Sequence, residues 1–93
     1  MASFTTRVEL HNADWSDYEL LHKKMAMHGF SRVIASDDGK RYQLPPAEYN
    51  FEGASSRADV LAKAKAAAAQ VKTSYAVFVT ESAGRTWSGL DAA

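Results

Sequence analysis

The chain has 93 residues, enough for one hydrophobic core, so we predict a single domain over residues 1–93. Eleven Lys and Arg balance eleven Asp and Glu, which excludes nucleic-acid binding by bulk charge and leaves only a local basic patch for such binding. The absence of cysteine excludes disulfides, thiol nucleophiles and thiolate metal sites.

The chain opens with a predicted strand and helix. Residues Phe4 to His11 alternate between two faces, one of them mostly apolar, as in a half-buried strand. Asp14 is a favourable N-cap, and Gly29 suits the left-handed position that ends many helices. A first helix is therefore predicted from Asp14 to His28.

Residues Phe30 to Leu44 predict a β-hairpin. Asp38 and Gly39 tolerate the positive φ of a two-residue hairpin loop, and such a loop places Ala35 opposite Tyr42. Side chains that lie opposite each other share a face of the hairpin. The core face is then expected to carry Val33, Ala35, Tyr42 and Leu44, and the opposite face Arg32, Ile34, Arg41 and Gln43.

The second half of the chain predicts a further helix between extended segments. Residues 48–52 resume extended structure, and the alanine-rich residues 56–72 form a helix that either packs closely on a sheet or reflects helix propensity alone. Residues 75–80 are apolar on both sides and predict a central or doubly covered strand. Residues 85–87 predict a short fifth strand, and residues 89–93 are expected to fray.

This order of elements predicts a fold of the α+β class. Strand, helix, strand, strand, helix and strand form the ferredoxin-like βαββαβ pattern. We expect an antiparallel sheet of four strands, with both helices on one face and a short C-terminal extension.

A cluster of polar residues is expected on the face of this sheet that the helices leave open. It comprises Arg7, Glu9, His11, Arg32, Arg41 and Gln43. Arginine pairs with phosphates, and histidine exchanges protons near neutral pH, so these residue types suit metal-independent RNA cleavage. Glu9 and His11 are the candidate catalytic residues, and Arg7, Arg32, Arg41 and Gln43 the candidate RNA-binding residues. The alternative is that the charges form cross-strand ion pairs on a solvated or dimerising face.

No metal site and no cofactor are predicted. His22 and His28 are six residues apart, which puts them on different faces of the first helix, and both are expected at the surface. Asp37 and Asp38 are explained by their place at the hairpin tip.

The apolar strand at residues 75–80 also predicts a homodimer. The helices can cover only one of its faces, so Phe78 or Tyr75, with Ile34 and Trp87, would leave an exposed apolar patch. A symmetric contact through the sheet face or the C-terminal strand would bury this patch.

Part of the chain also resembles a known family. Residues 18–44 resemble the GhoS-like endoribonuclease antitoxins of type V toxin–antitoxin systems. The resemblance rests on Leu21, Met25, Gly29-Phe30-Ser31, Ile34, Asp37-Asp38-Gly39, Arg41 and Gln43-Leu44. It implies a ferredoxin-like fold related to the small CRISPR-associated nucleases, cleavage of a toxin messenger RNA, and RNA contacts by Arg41 and Gln43.

The sequence is compatible with two functions. The first is a dimeric RNA-binding protein with endoribonuclease activity. The second is a non-catalytic protein-interaction or dimerisation module of the same fold. No apolar run has the length of a signal peptide core or a membrane span, so a cytoplasmic protein without membrane contact is expected.

Overall fold

The computed structural model describes residues 2–93 and shows a small α+β domain of order βαβββαβ. The strands are β1 (Ala2–Leu10), β2 (Val33–Ala35), β3 (Arg41–Gln43), β4 (Glu48–Gly53) and β5 (Tyr75–Glu81), and the helices are α1 (Trp15–Met27) and α2 (Arg57–Ala69). Neither helix in residues 2–93 has the length and apolar composition needed to cross a bilayer.

The main sheet has three strands, not the four that the sequence predicts. β1 lies in the middle and pairs antiparallel with β4 and β5, while β2 and β3 form a separate hairpin. The hairpin is joined to β4 by one bridge, in which the amides of Ser31 and Asn50 donate to each other's carbonyls at 2.8 and 2.6 Å. β4 pairs with β1 because Tyr49 and Phe51 supply the apolar face that the shorter β3 lacks.

Both helices pack on one face of the three-stranded sheet, as predicted. Alternate residues of β1 form a core with both helices and β4; its largest fully buried side chains are Phe4, Val8, Leu21, Met25, Tyr49 and Val60. Ala64, Ala67 and Ala68 are fully buried in the same core. The alanines of α2 therefore serve close packing, which decides between the two interpretations of this helix.

Both predicted ends of α1 and the predicted start of α2 are confirmed, whereas α2 ends at Ala69 and not at residue 72. Asp14 caps α1 by accepting a hydrogen bond from the amide of Asp17, and the Asp17 carboxylate accepts one from the amide of Asp14. Gly29 follows the helix with a φ of +90°, in the left-handed region that glycine adopts at low cost. Ser56 caps α2 by accepting a hydrogen bond from the amide of Asp59 at 3.1 Å, without the reciprocal bond seen at α1.

The hairpin register is one residue away from the predicted one. Its loop has three residues rather than two, because the Ser36 amide donates to the Lys40 carbonyl at 2.8 Å and Gly39, with a φ of +84°, completes the turn. Ile34 therefore pairs with Tyr42. A slip of one residue exchanges the faces, so Arg32, Ile34, Tyr42 and Leu44 share one side, and Val33, Ala35, Arg41 and Gln43 the other.

Two predictions about the C-terminal part are wrong. β5 is an edge strand rather than a central one, because β1 takes the central place and no other strand of residues 2–93 pairs with the far side of β5. Residues 89–93 do not fray: the Gln43 amide donates to the Asp91 carbonyl at 2.8 Å, and the Ala93 amide to the Arg41 carbonyl at 3.0 Å.

The predicted fifth strand at residues 85–87 is also absent. We refer to residues 84–87 as the strap, because they cross from the end of β5 towards the hairpin. The strap contacts the hairpin through Trp87, whose ring lies edge-on against Tyr42 with 5.4 Å between centroids.

Candidate functional site

The face of the three-stranded sheet opposite the helices, which we call the open face, is formed by the β1 residues that alternate with the core residues. Arg7 and Glu9 lie on it and are exposed. Arg7 lies between two cross-strand neighbours, Phe78 of β5 and Glu48 of β4. Glu9 lies opposite Ala76 of β5. Cross-strand neighbours on one face bring their side chains close together.

Phe78 is the most unusual side chain of this face. It is 68% exposed, although a phenylalanine in a sheet is normally covered. The guanidinium of Arg7 is also free, because the ion pairs of the described residues 2–93 join His11 to Glu9 and Lys72 to Asp17. An exposed aromatic ring beside a free arginine presents a stacking surface next to a positive charge.

His11 is held at the end of β1 by three contacts. Its amide donates to the Ser74 carbonyl at 3.1 Å, and its ring Nδ1 lies 2.7 Å from Ser74 Oγ. The other ring nitrogen, Nε2, lies 3.5 Å from Glu9 Oε1. The serine contact fixes the ring so that Nε2 faces the Glu9 carboxylate, and both groups stay open to solvent.

The other end of the open face is covered by the strap. Arg85 Nε donates to Thr5 Oγ1 at 2.9 Å, and Arg85 Nη2 donates to Asn50 Oδ1 at 2.8 Å. Asn50 is buried as a result, with 8% of its surface exposed. The strap therefore leaves free only the half of the open face that carries Arg7, Glu9 and Phe78.

The structure brings together three of the six predicted site residues and separates the other three. Arg7, Glu9 and His11 lie along one end of the open face, as predicted. Arg41 and Gln43 lie on the hairpin, on its side opposite Arg32. The prediction that Arg32 and Arg41 share the open face is wrong, since it depended on the two-residue hairpin loop.

Arg32 points inward, towards α1. Its Nη2 donates to the Leu44 carbonyl at 3.2 Å, and its Nε is buried without a hydrogen-bond partner among residues 2–93. Its positive charge acts on the neighbouring side chains His22 and Tyr49. Arg32 is thus part of a half-buried polar cluster and not of an exposed phosphate-binding surface.

His22 is half-buried in this cluster, contrary to the prediction of a surface residue. Its Nδ1 lies 2.5 Å from the Tyr49 hydroxyl. Burial, helped by the charge of Arg32, lowers the pKa of His22 from 6.5 to about 4, so the ring is neutral at neutral pH. Burial also raises the pKa of the Tyr49 hydroxyl above its usual value. The pair joins α1 to β4 as a neutral hydrogen bond.

A polar cleft lies on the other side of the strap. It has a volume of about 570 Å³ and is lined by Asp37 and Asp38 of the hairpin loop, together with Arg85 and Trp87. The hydrogen bond from Ser36, and a second from the Lys40 amide, lower the pKa of Asp38, which keeps this carboxylate charged. Negative charge at this cleft disfavours phosphate, and residues 2–93 hold no cluster of three His, Asp or Glu suited to a metal ion.

Comparison with known proteins finds no family model that matches this sequence and no curated protein that is similar to it. The chemistry of the open face is therefore inferred from its own residues.

Sequence reasoning missed three contributors to this site. The sequence predicts only a dimer contact for Phe78, because residues 75–80 are apolar on both faces and do not show which face lies beside Arg7. Ser74 and Arg85 gave no signal, because their contacts with His11 and Thr5 join residues 63 and 80 positions apart in sequence.

Proposed function

We propose that the free half of the open face binds single-stranded RNA. The observation that carries this proposal is the pair formed by Arg7 and Phe78, cross-strand neighbours that are both exposed on an antiparallel sheet. Exposed aromatic residues on such sheets stack on unpaired bases, and arginine pairs with the phosphates between them. The binding needs no net positive charge on the chain, because only a local charge is used.

We further propose that the bound RNA is cleaved by Glu9 and His11. The Glu9 carboxylate takes the proton of a ribose 2′-hydroxyl, and the freed 2′-oxygen attacks the adjacent phosphorus. The bond from phosphorus to the 5′-oxygen breaks, and protonated His11 gives its Nε2 proton to that oxygen. The products are a 2′,3′-cyclic phosphate and a 5′-hydroxyl. The 3.5 Å between the two groups supports this, because one phosphodiester can contact both.

The proposal includes the ferredoxin-like fold and the type V antitoxin role that the resemblance implies. Two features support the fold: β1 lies between β4 and β5, and both helices pack on one side of this sheet. The substrate would then be a toxin messenger RNA, cleaved in the cytoplasm. RNA contacts by Arg41 and Gln43 remain a prediction from the same resemblance.

Binding is tested by titrating single-stranded RNA at several salt concentrations. Replacing Phe78 by Ala should weaken binding by about 1–3 kcal/mol, because one base loses its stacking surface. Replacing Arg7 by Ala should weaken binding and reduce the salt dependence by roughly 0.7 in the logarithmic slope, as expected for one lost phosphate contact. Lys65→Ala on the exposed side of α2 removes the same charge and should have no effect.

Cleavage is tested separately with His11. His11→Ala should abolish product formation and leave RNA affinity nearly unchanged, because the imidazole transfers a proton and does not hold the phosphate. Wild-type protein that binds RNA but yields no cyclic phosphate would refute the cleavage step alone. Cleavage that persists in His11→Ala would show that a different group donates the proton.

The second candidate is the non-catalytic interaction module. It is favoured by one observation, the edge strand β5 with Phe78 exposed at its centre. If the wild-type protein binds no RNA at low salt, the RNA proposal fails and this module becomes the better account of the open face.

A further inference from the structure

The outer edge of β5 has none of the features that usually protect an edge strand. Its seven residues pair with β1 on one side, and no strand within residues 2–93 pairs with the other. The strand contains no proline and no lysine, and its only charge is Glu81 at the last position. An unprotected edge exposes a row of backbone N–H and C=O groups that can pair with another strand.

The sequence of β5 is suited to pairing with a second copy of itself. If the strand is turned antiparallel about its middle residue, Phe78 lies opposite the partner's Phe78. Val77 then faces the partner's Val79, and Ala76 faces the partner's Thr80. At the ends, Tyr75 faces the partner's Glu81, so a hydroxyl donor meets a carboxylate acceptor. No like charges face each other anywhere along the strand.

We propose that two copies of this chain associate through β5 in this register, with Phe78 at the two-fold axis. Apolar surface lies on both sides of the edge, as such a contact requires. Val77 and Val79 are only half-buried on the helix side, Leu61 of α2 is 36% exposed, and Phe78 lies on the open face. The pairing would satisfy the free backbone groups, cover the apolar side chains on the helix side, and bring the two Phe78 rings together on the open face.

The dimer would form one continuous sheet of six strands. The two open faces would then meet at the axis, with the two Phe78 rings side by side and one Arg7 beyond each. If the RNA proposal also holds, one RNA strand could contact both copies. The association itself does not depend on RNA, so it can be tested in its absence.

Single cysteines test the register, because the natural chain has none. Phe78→Cys should form a disulfide-linked dimer under mild oxidation, since opposed residues of an antiparallel pair have their Cβ atoms about 4.5–5.5 Å apart. Thr80→Cys is the matched control: its two copies would lie four residues apart along the strands, about 13 Å, and should not link. Ala76→Cys combined with Thr80→Cys keeps Phe78 and should link, because these positions face each other.

Sedimentation of the wild-type protein tests the association without any substitution. An interface built on one strand is small compared with the roughly 1,200–2,000 Å² of stable complexes, so we expect dimerisation in the micromolar to millimolar range. Replacing Ala76 and Thr80 by two lysines should give a monomer, and Ala76→Lys with Thr80→Glu should restore the dimer. A wild-type monomer at all concentrations, or equal linking by Thr80→Cys alone, would overturn the proposal and leave this edge to a different strand or register.

Discussion

The histidines of this chain show how the surroundings of a residue decide its chemistry. His11 is exposed and held by Ser74 beside Glu9, whereas His22 is half-buried against Tyr49. Both are polar residues in or next to amphipathic segments, so their sequence context is similar. Of these two, His11 combines exposure with a neighbouring carboxylate, and it is therefore the candidate for proton transfer.

His22 should make stability depend on pH. Its pKa is about 6.5 in the unfolded chain and about 4 in the folded protein, so between these values the unfolded chain binds more protons. The contribution of His22 is complete above about pH 6.5 and is lost as the pH falls through about 4. We expect a loss of about 1–2 kcal/mol in the free energy of unfolding, less than the full shift implies because the ring is partly solvated.

The measurement is urea denaturation of wild type and His22→Gln across this pH range. Glutamine cannot titrate but keeps an acceptor for the Tyr49 hydroxyl, so the variant should lose this part of the pH dependence. Every other ionisable side chain is common to the two proteins, so the difference between their profiles reports on His22 alone. Identical pH profiles for the two proteins would contradict the claim that burial lowers the pKa of His22.

At the scale of elements, the capped starts of both helices and the end of α1 could be predicted, and the pairing of the strands could not. Asp14, Gly29 and Ser56 act on the few residues next to them, so their roles can be recognised in the sequence. The hairpin register depended on whether its loop has two or three residues, and Asp37 suits both. The three-residue loop shifts the register by one residue, and Arg32 therefore lies away from the predicted site.

The two glycines that end α1 and close the hairpin should differ in their tolerance of a side chain. Both have positive φ, so alanine is strained by about 1–2 kcal/mol at either position. A Cβ at Gly29 would also lie 3.3 Å from Phe51 Cε2, whereas a Cβ at Gly39 meets nothing within 4 Å. Gly29→Ala should therefore reduce the free energy of unfolding more than Gly39→Ala does, as measured by chemical denaturation.

Asparagine provides the control for this comparison, because it adopts the left-handed conformation more readily than alanine. Gly39→Asn should be milder than Gly39→Ala. If Gly39→Ala and Gly29→Ala reduced the free energy of unfolding equally, the contact with Phe51 would make no contribution to the difference, which would contradict the prediction.

At the scale of the whole molecule, the fold class could be predicted because β1 alternates regularly and both helices begin at recognisable N-caps. The place of each strand in the sheet could not, since it depends on contacts between distant residues. β5 is as apolar as a central strand, yet it lies at the edge of the sheet. The central strand is β1, which pairs with both β4 and β5. The strap was also unpredictable, because Arg85 contacts Thr5 and Asn50, which lie 80 and 35 positions away in sequence.

The C-terminal residues should hold the hairpin in place. Removing residues 90–93 deletes the Asp91 carbonyl that accepts from the Gln43 amide at 2.8 Å. We expect exchange of the Gln43 amide proton to accelerate about fivefold, which corresponds to the loss of one hydrogen bond of roughly 1 kcal/mol. The Val8 amide, which donates to the Ala47 carbonyl at 2.9 Å in the main fold, serves as the internal control and should not change. Equal exchange of Gln43 in both proteins would contradict the structural role of the tail.

The central claim is that the free half of the open face is the RNA-binding surface, and NMR titration with a short single-stranded RNA tests it most directly. The backbone amide signals of Arg7, Glu9, Ala76, Phe78 and Thr80 should shift together as RNA is added at low salt. The signals of the exposed side of α2, including Lys65, should stay unchanged in the same titration. Shifts confined to the helices or to the hairpin loop, or no shifts at all, would contradict the claim.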